Sequence, residues 1–254
     1  MSLSKITQTK NTDLVIFLKP RLLKVLERAS LFLKVYRSGK LPKIVRILPS
    51  VRNFEEIIWL TRPDIWSDQA VLSITRSFLP RLDKAQMSRY YSLILAPRFQ
   101  ESIFNQQISS NHIQKAIKLS TKFPFTFFSS LILPICDSKE CSLKEGAVLG
   151  SILYKYHFSS LVIMTLIIRL LDNPITQTKC LMLRIIISKN YLIPHRILDL
   201  FVDFFTSNNK KIFSPHYRTL LIIFLRNYTS FLSNEDKQRI HNFKQFKKKT
   251  IIPY

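Results

Sequence analysis

Residues 142–156, with the sequence SLKEGAVLGSILYKY, contain the features that decide the fold class. Ser142 and Glu145 have the spacing of a capping box, in which each side chain accepts a hydrogen bond from a free backbone N–H. Apolar side chains then recur at helical spacing, at Leu149, Ile152, Leu153 and Tyr156. The stretch therefore predicts an amphipathic helix with a defined start.

The same helical spacing continues on both sides of this stretch. The predicted helices are Asp13–Ala29, Leu31–Arg37, Pro42–Leu48, Asn53–Leu60, Ser67–Leu79, Ala85–Leu95, Asn111–Lys122 and Arg196–Phe205. In the last of these, a narrow polar stripe leaves apolar side chains on most of the surface, which is typical of a helix inside stacked layers. Leu181–Ile187 fits either a buried strand or a helix, and the upstream Pro174 favours a helix.

Glycine is scarce, with only three residues in 254. Many-stranded sandwiches and phosphate-binding loops both need glycine at their tight turns, so the composition argues against them. We expect an all-α protein of about a dozen helices, in a single right-handed superhelix or solenoid-like array of the HEAT or an irregular type. The solenoid arrangement follows from the stacked amphipathic helices, because no repeat period is visible.

The charge is strongly positive, with 39 Lys and Arg against 16 Asp and Glu, a formal net charge of +23. Solubility alone needs a charge of about 2 to 8 for a small domain. A polyanionic partner is therefore expected, and both nucleic acid and an anionic membrane surface fit. The most apolar run, Phe158–Leu171, is too short to span a bilayer, which takes about 20 apolar residues.

One basic segment is free of acids from Arg28 to Phe54. Cations recur at every third position within it, at Lys34, Arg37, Lys40, Lys43 and Arg46. A corner at Gly39–Pro42 divides the segment, so two short helices can offer these cations to phosphates on the same side. The apolar residues expected to face the core are Phe32, Leu33, Val35, Ile44, Val45 and Leu48. Tyr36 lies among the cations and is a candidate for stacking on a base, whereas the simpler interpretation is a solvated basic face.

A second basic cluster lies near the C-terminus, where Lys244, Lys247, Lys248 and Lys249 alternate with phenylalanines. We include Lys247, Lys248 and Lys249 among the candidate RNA-binding residues. The cluster also fits a nuclear-import signal or a solvated tail.

The sequence contains no recognisable catalytic or cofactor-binding motif. Cys136 and Cys141 lack the further ligands of a structural zinc site. Asp199 and Asp203 share a helix face, where a solvated stripe beside Arg196 is the simpler interpretation. We therefore expect no catalytic residues, cofactor, metal or small-molecule substrate. A nucleic-acid enzyme would need a pocket of carboxylates or a metal.

Several ordered segments resemble the bystin family over about residues 31–243. They are Tyr36–Lys43 (YRSGKLPK), Leu79–Leu82 (LPRL), Ala96–Arg98 (APR), Leu131–Glu145 (which contains LILPIC and CSLKE) and Tyr191–Asp199 (YLIPHRILD). We expect a short form without the family's long charged N-terminal extension. The resulting division is 1–30 as a polar segment and first helix, 31–243 as the bystin-like helical domain and 244–254 as the Lys-rich tail.

The resemblance implies an all-helical superhelical fold without catalytic residues. It implies a ribosome biogenesis factor that binds precursor 18S rRNA in 90S and pre-40S particles and supports small-subunit rRNA processing and head and beak maturation. The implied partners are small-subunit ribosomal proteins of the head, other pre-40S assembly factors and snoRNA, with no membrane partner. The implied location is the nucleus and nucleolus, and also the cytoplasm with late pre-40S particles. Action at anionic membrane surfaces is the alternative that the charge leaves open.

Overall fold

The computed structural model describes residues 20–51, 53–106, 110–138, 141–172, 176–207 and 215–240. Within these ranges the regular structure is helical and contains no strand, which confirms the all-α prediction. The chain forms two compact units, Met1–Leu131 and Ile132–Tyr254. The superhelical arrangement and the three-part division of the chain stay predictions.

In the described part of the first unit, the chain first forms α-helices that are separated by short connections. They are α1 (Pro20–Val35), α2 (Lys43–Ile47), α3 (Phe54–Leu60) and α4 (Asp68–Phe78). The boundary expected between Ala29 and Leu31 is wrong, because α1 runs through it without a break. Pro20 is the first described residue of α1.

The unit continues with α5 (Lys84–Tyr90), a π-helical segment (Tyr91–Leu95), α6 (Ala96–Gln106), α7 (Asn111–Ser120) and α8 (Pro124–Phe127). The predicted stop at Leu95 is wrong, because the helix continues into α6. Pro97 follows the π-helical segment and cannot donate the usual backbone hydrogen bond. A wider turn before a proline accommodates its ring without ending the helix.

The core of the first unit contains a chain of aromatic rings. Phe78 packs edge-on against Phe54 at 5.8 Å and against Tyr90 at 5.7 Å, measured between ring centroids. The buried Tyr90 hydroxyl is paired with the Thr75 hydroxyl at 2.8 Å, so no polar group of this pair is left without a partner. These contacts join α3, α4 and α5.

Arg98 of the APR segment holds the turn before α4 against α6. Its guanidinium donates to the carbonyl oxygens of Asp64 at 3.0 Å and Trp66 at 2.6 Å. It also pairs with Asp68 at 3.2 Å and Glu101 at 2.8 Å. Its side chain is only 15% exposed. Arg98, which lies in one of the segments that carry the family resemblance, therefore has a packing role.

The second unit contains α9 (Leu133–Asp137), α10 (Leu143–Lys155), α11 (Ser160–Leu171), α12 (Gln177–Ser188), α13 (His195–Ser207) and α14 (Pro215–Tyr228). Residues 234–240 are also helical. The unit boundary falls in the π-helical segment Phe128–Ile132 that leads into α9. The helical choice for Leu181–Ile187 is confirmed, since these residues lie inside α12.

α12 is the central helix of the second unit and packs against both α10 and α14. Phe201 of α13 stacks on Phe224 of α14 at a centroid distance of 5.0 Å. The apolar side chains of α13 that the pattern assigned to packing are buried, namely Ile197, Leu198, Phe201, Phe204 and Phe205. The buried side that the pattern predicted is therefore confirmed, whereas Arg196, Asp199, Leu200 and Asp203 are exposed and leave the rest of the helix surface uncovered.

The helix in residues 142–156 forms as α10, with one difference at its start. Ser142 accepts a hydrogen bond from the Glu145 backbone N–H at 3.2 Å, as the capping box requires. The Glu145 side chain is buried, and its Oε2 has no hydrogen-bond partner among the described residues. Only the Ser142 half of the capping box is therefore present.

Candidate nucleic-acid interface

The α1–α2 corner, residues 34–46, is closed by a local hydrogen bond. The Tyr36 hydroxyl donates to the carbonyl oxygen of Gly39 at 2.6 Å. Gly39 has a φ of +104°, in the region that glycine occupies without the penalty of a side chain. Pro42 then has extended backbone angles and precedes the first turn of α2. The corner thus depends on residues of the YRSGKLPK segment itself.

The corner is also anchored to α4 through Ser67. The Ser67 hydroxyl donates to the Tyr36 carbonyl at 2.5 Å, and its backbone N–H donates to the Leu33 carbonyl at 3.1 Å. The same hydroxyl accepts a hydrogen bond from Ala70 and caps the start of α4. Leu33 and Val45 are fully buried beneath the corner. A side chain on this corner therefore projects from an ordered base.

The five predicted cations are all exposed, namely Lys34, Arg37, Lys40, Lys43 and Arg46. None of them forms an ion pair with a carboxylate among the described residues. Other exposed arginines are paired, for example Arg62 with Asp64 at 3.4 Å and Arg89 with Glu55 at 3.0 Å. The corner cations thus keep their charge available for an anionic ligand. That they point to one side stays a prediction.

Tyr36 does not present its ring for stacking. The side chain is 4% exposed, and its ring centroid lies 5.7 Å from that of Phe32. Its hydroxyl is already used in the hydrogen bond to Gly39. The proposed role in stacking on a base is therefore wrong for this conformation, and the ring belongs to the core.

Phe32 and Val35 depart from the expected burial. They are 43% and 71% exposed, whereas Leu33 between them is fully buried. The buried side of α1 is formed by residues at helical spacing, at Leu26, Ala29, Ser30 and Leu33. Phe32 and Val35 fall on the other side, beside the cations. Ile44 is half-buried, and Val45 and Leu48 are buried as expected.

The structure adds Arg81 to the basic surface of the corner. Its guanidinium Nη1 donates to the carbonyl oxygen of Arg46 at 2.7 Å, at the C-terminal end of α2. Arg81 is exposed and forms no ion pair among the described residues. The sequence pattern did not predict its place on this surface, because 35 positions separate it from Arg46. The only signal in the sequence was its place in the LPRL segment.

Lys247, Lys248 and Lys249 lie outside the described residues. Their assignment as an RNA-touching arm or an import signal stays a prediction.

The cysteines of the second unit lie in a packed environment. Burial raises the pKa of the Cys136 thiol to about 12 and that of Cys141 to about 11. Both thiols are therefore protonated at neutral pH, whereas metal binding and nucleophilic attack need the thiolate. Within the described ranges, no group of three or more His, Cys, Asp or Glu side chains could hold a metal ion.

The carboxylate stripe on α13 is partly neutralised by an arginine from another helix. Asp203 pairs with Arg239 at 2.6 Å, and the hydrogen bond to Asp203 is the main cause that raises the pKa of Arg239. Arg196, the expected neighbour, is exposed. Separately, no helix in the described part of the chain has both the length and the apolar content to cross a membrane.

Comparison with known proteins gives one consistent result. The Bystin family model matches residues 2–253. Bystin of Nematostella vectensis is 32% identical over 222 residues, which are 87% of this chain and 52% of that protein. Bystin of Monosiga brevicollis is 29% identical over 93% of this chain and 57% of that protein, and human Bystin is 28% identical over 88% and 52%. The chain spans about half the length of these relatives. It belongs to the Bystin family.

Proposed function

We propose that this chain is a non-enzymatic ribosome biogenesis factor that binds precursor 18S rRNA through the α1–α2 corner. One observation carries the proposal: five exposed cations without acidic partners among the described residues stand on an anchored corner of a Bystin family member. Membership of the family supports the biogenesis role, and the corner supports the choice of ligand.

The physical argument concerns charge and order together. Each phosphate that a cation neutralises releases counterions, and this release drives most binding to nucleic acid. Cations held by an ordered corner lose less conformational freedom on binding than cations on a mobile loop. Arg37 and Arg46 can also hold a phosphate with two parallel hydrogen bonds. The net charge of +23 increases the rate of encounter with any polyanion.

The wider role of the proposal comes from the resemblance. Under this proposal, the chain acts in 90S and pre-40S particles and supports maturation of the head and beak. It contacts ribosomal proteins of the head, other assembly factors and snoRNA. The proposed location is the nucleolus and nucleus, with late particles in the cytoplasm. Crosslinking of the chain to precursor rRNA in cells tests this part directly.

The ligand is tested by salt-dependent binding to a structured small-subunit RNA between 50 and 200 mM salt. If all five cations contact phosphates, the slope of log K against log salt should be about −4 to −5, from about −0.9 per phosphate in a duplex. The double variant Lys40→Gln/Lys43→Gln should bind more weakly, and its slope should be smaller by about 2. An absence of salt-dependent binding would contradict the proposal.

A matched control removes the same charge elsewhere in the first unit. Arg62→Gln/Arg89→Gln also lowers the net charge by two, but it removes cations that are already paired with carboxylates. We expect a much smaller change in slope. Equal effects of the two double variants would mean that net charge alone, and not the corner, governs binding.

A membrane surface is the second candidate ligand, and the exposed face of α1 favours it. Leu31 and Val35 are 65% and 71% exposed beside Lys34, a combination found in helices that lie on anionic bilayers. Co-sedimentation with anionic vesicles tests this candidate. Binding to the vesicles without binding to RNA would replace the RNA proposal.

A further inference from the structure

A depression of about 330 Å³ lies between the end of α1 and the start of α4. Its lining residues are Lys34, Val35, Tyr36, Arg37, Ser67 and Gln69. We infer that this depression receives one ribonucleotide of the bound RNA, and that the Gln69 amide selects RNA by accepting a hydrogen bond from the ribose 2′-hydroxyl. The inference rests on the proposed function, because it assigns a substrate class to the same surface.

The size and the position of the depression suit a single nucleotide. Its volume is at the lower end of the range of about 300 to 1,000 Å³ that small-ligand sites occupy. Two of the corner cations, Lys34 and Arg37, form part of its lining. A phosphate that these cations hold would bring the attached ribose to the depression. The exposed Val35 side chain offers an apolar contact for the sugar.

Some of the polar side chains that line the depression already form hydrogen bonds within the protein, and others do not. The Ser67 hydroxyl donates to the Tyr36 carbonyl and accepts from the Ala70 N–H, so its only donor and one of its two acceptor lone pairs are engaged. The Tyr36 hydroxyl donates to the Gly39 carbonyl, and the Tyr36 side chain is 4% exposed, which keeps its oxygen away from a ligand. Lys34, Arg37 and Gln69 have no side-chain hydrogen bond to a described residue.

Among these free side chains, only Gln69 can accept a hydrogen bond. Lysine and arginine are donors without acceptor capacity, whereas an amide carries both a carbonyl oxygen and an NH₂ group. A ribose 2′-hydroxyl can donate and accept, and it is the group that distinguishes RNA from DNA at a binding site. The cations therefore suit the phosphate, and Gln69 suits the neighbouring sugar.

The test compares three hairpins of one sequence: RNA, 2′-fluoro RNA and DNA. The 2′-fluoro hairpin keeps an RNA-like helix, but fluorine cannot donate a hydrogen bond. Wild-type protein should bind the RNA about threefold to tenfold more tightly than the 2′-fluoro hairpin, as expected for loss of one hydrogen bond. Gln69→Leu should remove this preference and leave the affinity for the 2′-fluoro hairpin unchanged.

Gln177→Leu is the control, since it replaces an exposed glutamine at the start of α12 and should keep the preference. Thermal unfolding of each variant checks that it is folded. Equal wild-type affinity for the RNA and 2′-fluoro hairpins would overturn the inference and leave the proposed function intact. A preference that persists in Gln69→Leu would overturn it too. If the wild type binds none of the hairpins, the proposed function fails together with the inference.

Discussion

At the scale of single residues, Tyr36 illustrates how a side chain in a basic segment can be structural. A tyrosine among cations is compatible with base stacking, and only its surroundings decide its role. Here the ring is buried, and the hydroxyl closes the turn at Gly39. This hydrogen bond contributes to the ordered corner together with the two Ser67 hydrogen bonds, and the ordered corner in turn presents the cations.

Tyr36→Phe should therefore lower stability without removing a surface contact. Loss of a hydrogen bond whose acceptor stays near water costs about 1 kcal/mol, which for a chain of this size corresponds to a melting temperature lower by roughly 2 to 4 °C. Thermal unfolding followed by circular dichroism measures the change. Tyr154→Phe is the matched control, because Tyr154 is 65% exposed and should tolerate the change. Equal melting temperatures for Tyr36→Phe and the wild type would show that the corner does not need the hydroxyl.

At the scale of elements, the contact between α10 and α12 depends on a glycine that the helix pattern does not explain. A Cβ atom at Gly146 would lie 2.8 Å from Cγ2 of Thr178 and 3.3 Å from Cδ2 of Leu181. Thr178 is 2% exposed and is stiff at χ1 because it is β-branched. The two helices therefore approach each other more closely than a larger residue would allow.

We expect Gly146→Ala to destabilise the protein although alanine is the better helix former. The gain in helix propensity is about 1 kcal/mol, and overpacking a buried contact costs about 1 to 3 kcal/mol. The net loss should be measurable by urea unfolding. Ser151→Ala, on the exposed side of the same helix, should be neutral or slightly stabilising. A stabilised Gly146→Ala variant would show that α10 and α12 can separate at little cost.

The packing of helices also explains the π-helical segments Tyr91–Leu95 and Phe128–Ile132. Each precedes a proline, Pro97 or Pro134, at a point where a rule based on sequence ends the helix. The helix continues because its apolar side chains, such as the buried Phe99 of α6, are needed in the core. Tertiary packing thus offsets the local preference against a helix. A prediction from the local pattern alone therefore ends the helix too early.

At the scale of the whole molecule, burial of ionisable groups links stability to pH. Burial raises the pKa of Cys136, Tyr91 and Tyr228 to about 12, from ordinary values of 9.0, 10.0 and 10.0. Burial also raises the pKa of Tyr90 and Tyr217. Each group is neutral when folded and ionises more easily when unfolded, so the folded state binds more protons above about pH 9.

Stability should therefore be at its full value below about pH 9 and fall as the pH rises from 9 towards 12. The measurement is the melting temperature at pH 8, 9, 10 and 11. High salt should be present throughout, because deprotonation of lysines also lowers self-repulsion and salt screens that opposing effect. A melting temperature that does not change over this range would contradict the assigned burial of these groups.

The sequence by itself determined the helical class, the place of most helices, the family resemblance and the acid-free run of cations. Each of these depends on residue type and on spacing along the chain, which the sequence contains in full. Hydrophobic spacing located α13 and its buried side, for example, because a helix converts spacing directly into a face.

Only the tertiary structure decided the role of Tyr36, the exposure of Val35, the contact of Arg81 with Arg46 and the depression beside Gln69. The last three depend on how α1 and α2 pack against residues much further along the chain, as in the contacts of Ser67 with Tyr36 over 31 positions and of Arg81 with Arg46 over 35. The role of Tyr36 depends on its burial together with the local hydrogen bond to Gly39. Local spacing predicts that a helix has a buried face, but the neighbouring helices determine which of several apolar residues fill it. The same packing determines which polar groups remain free to bind a ligand.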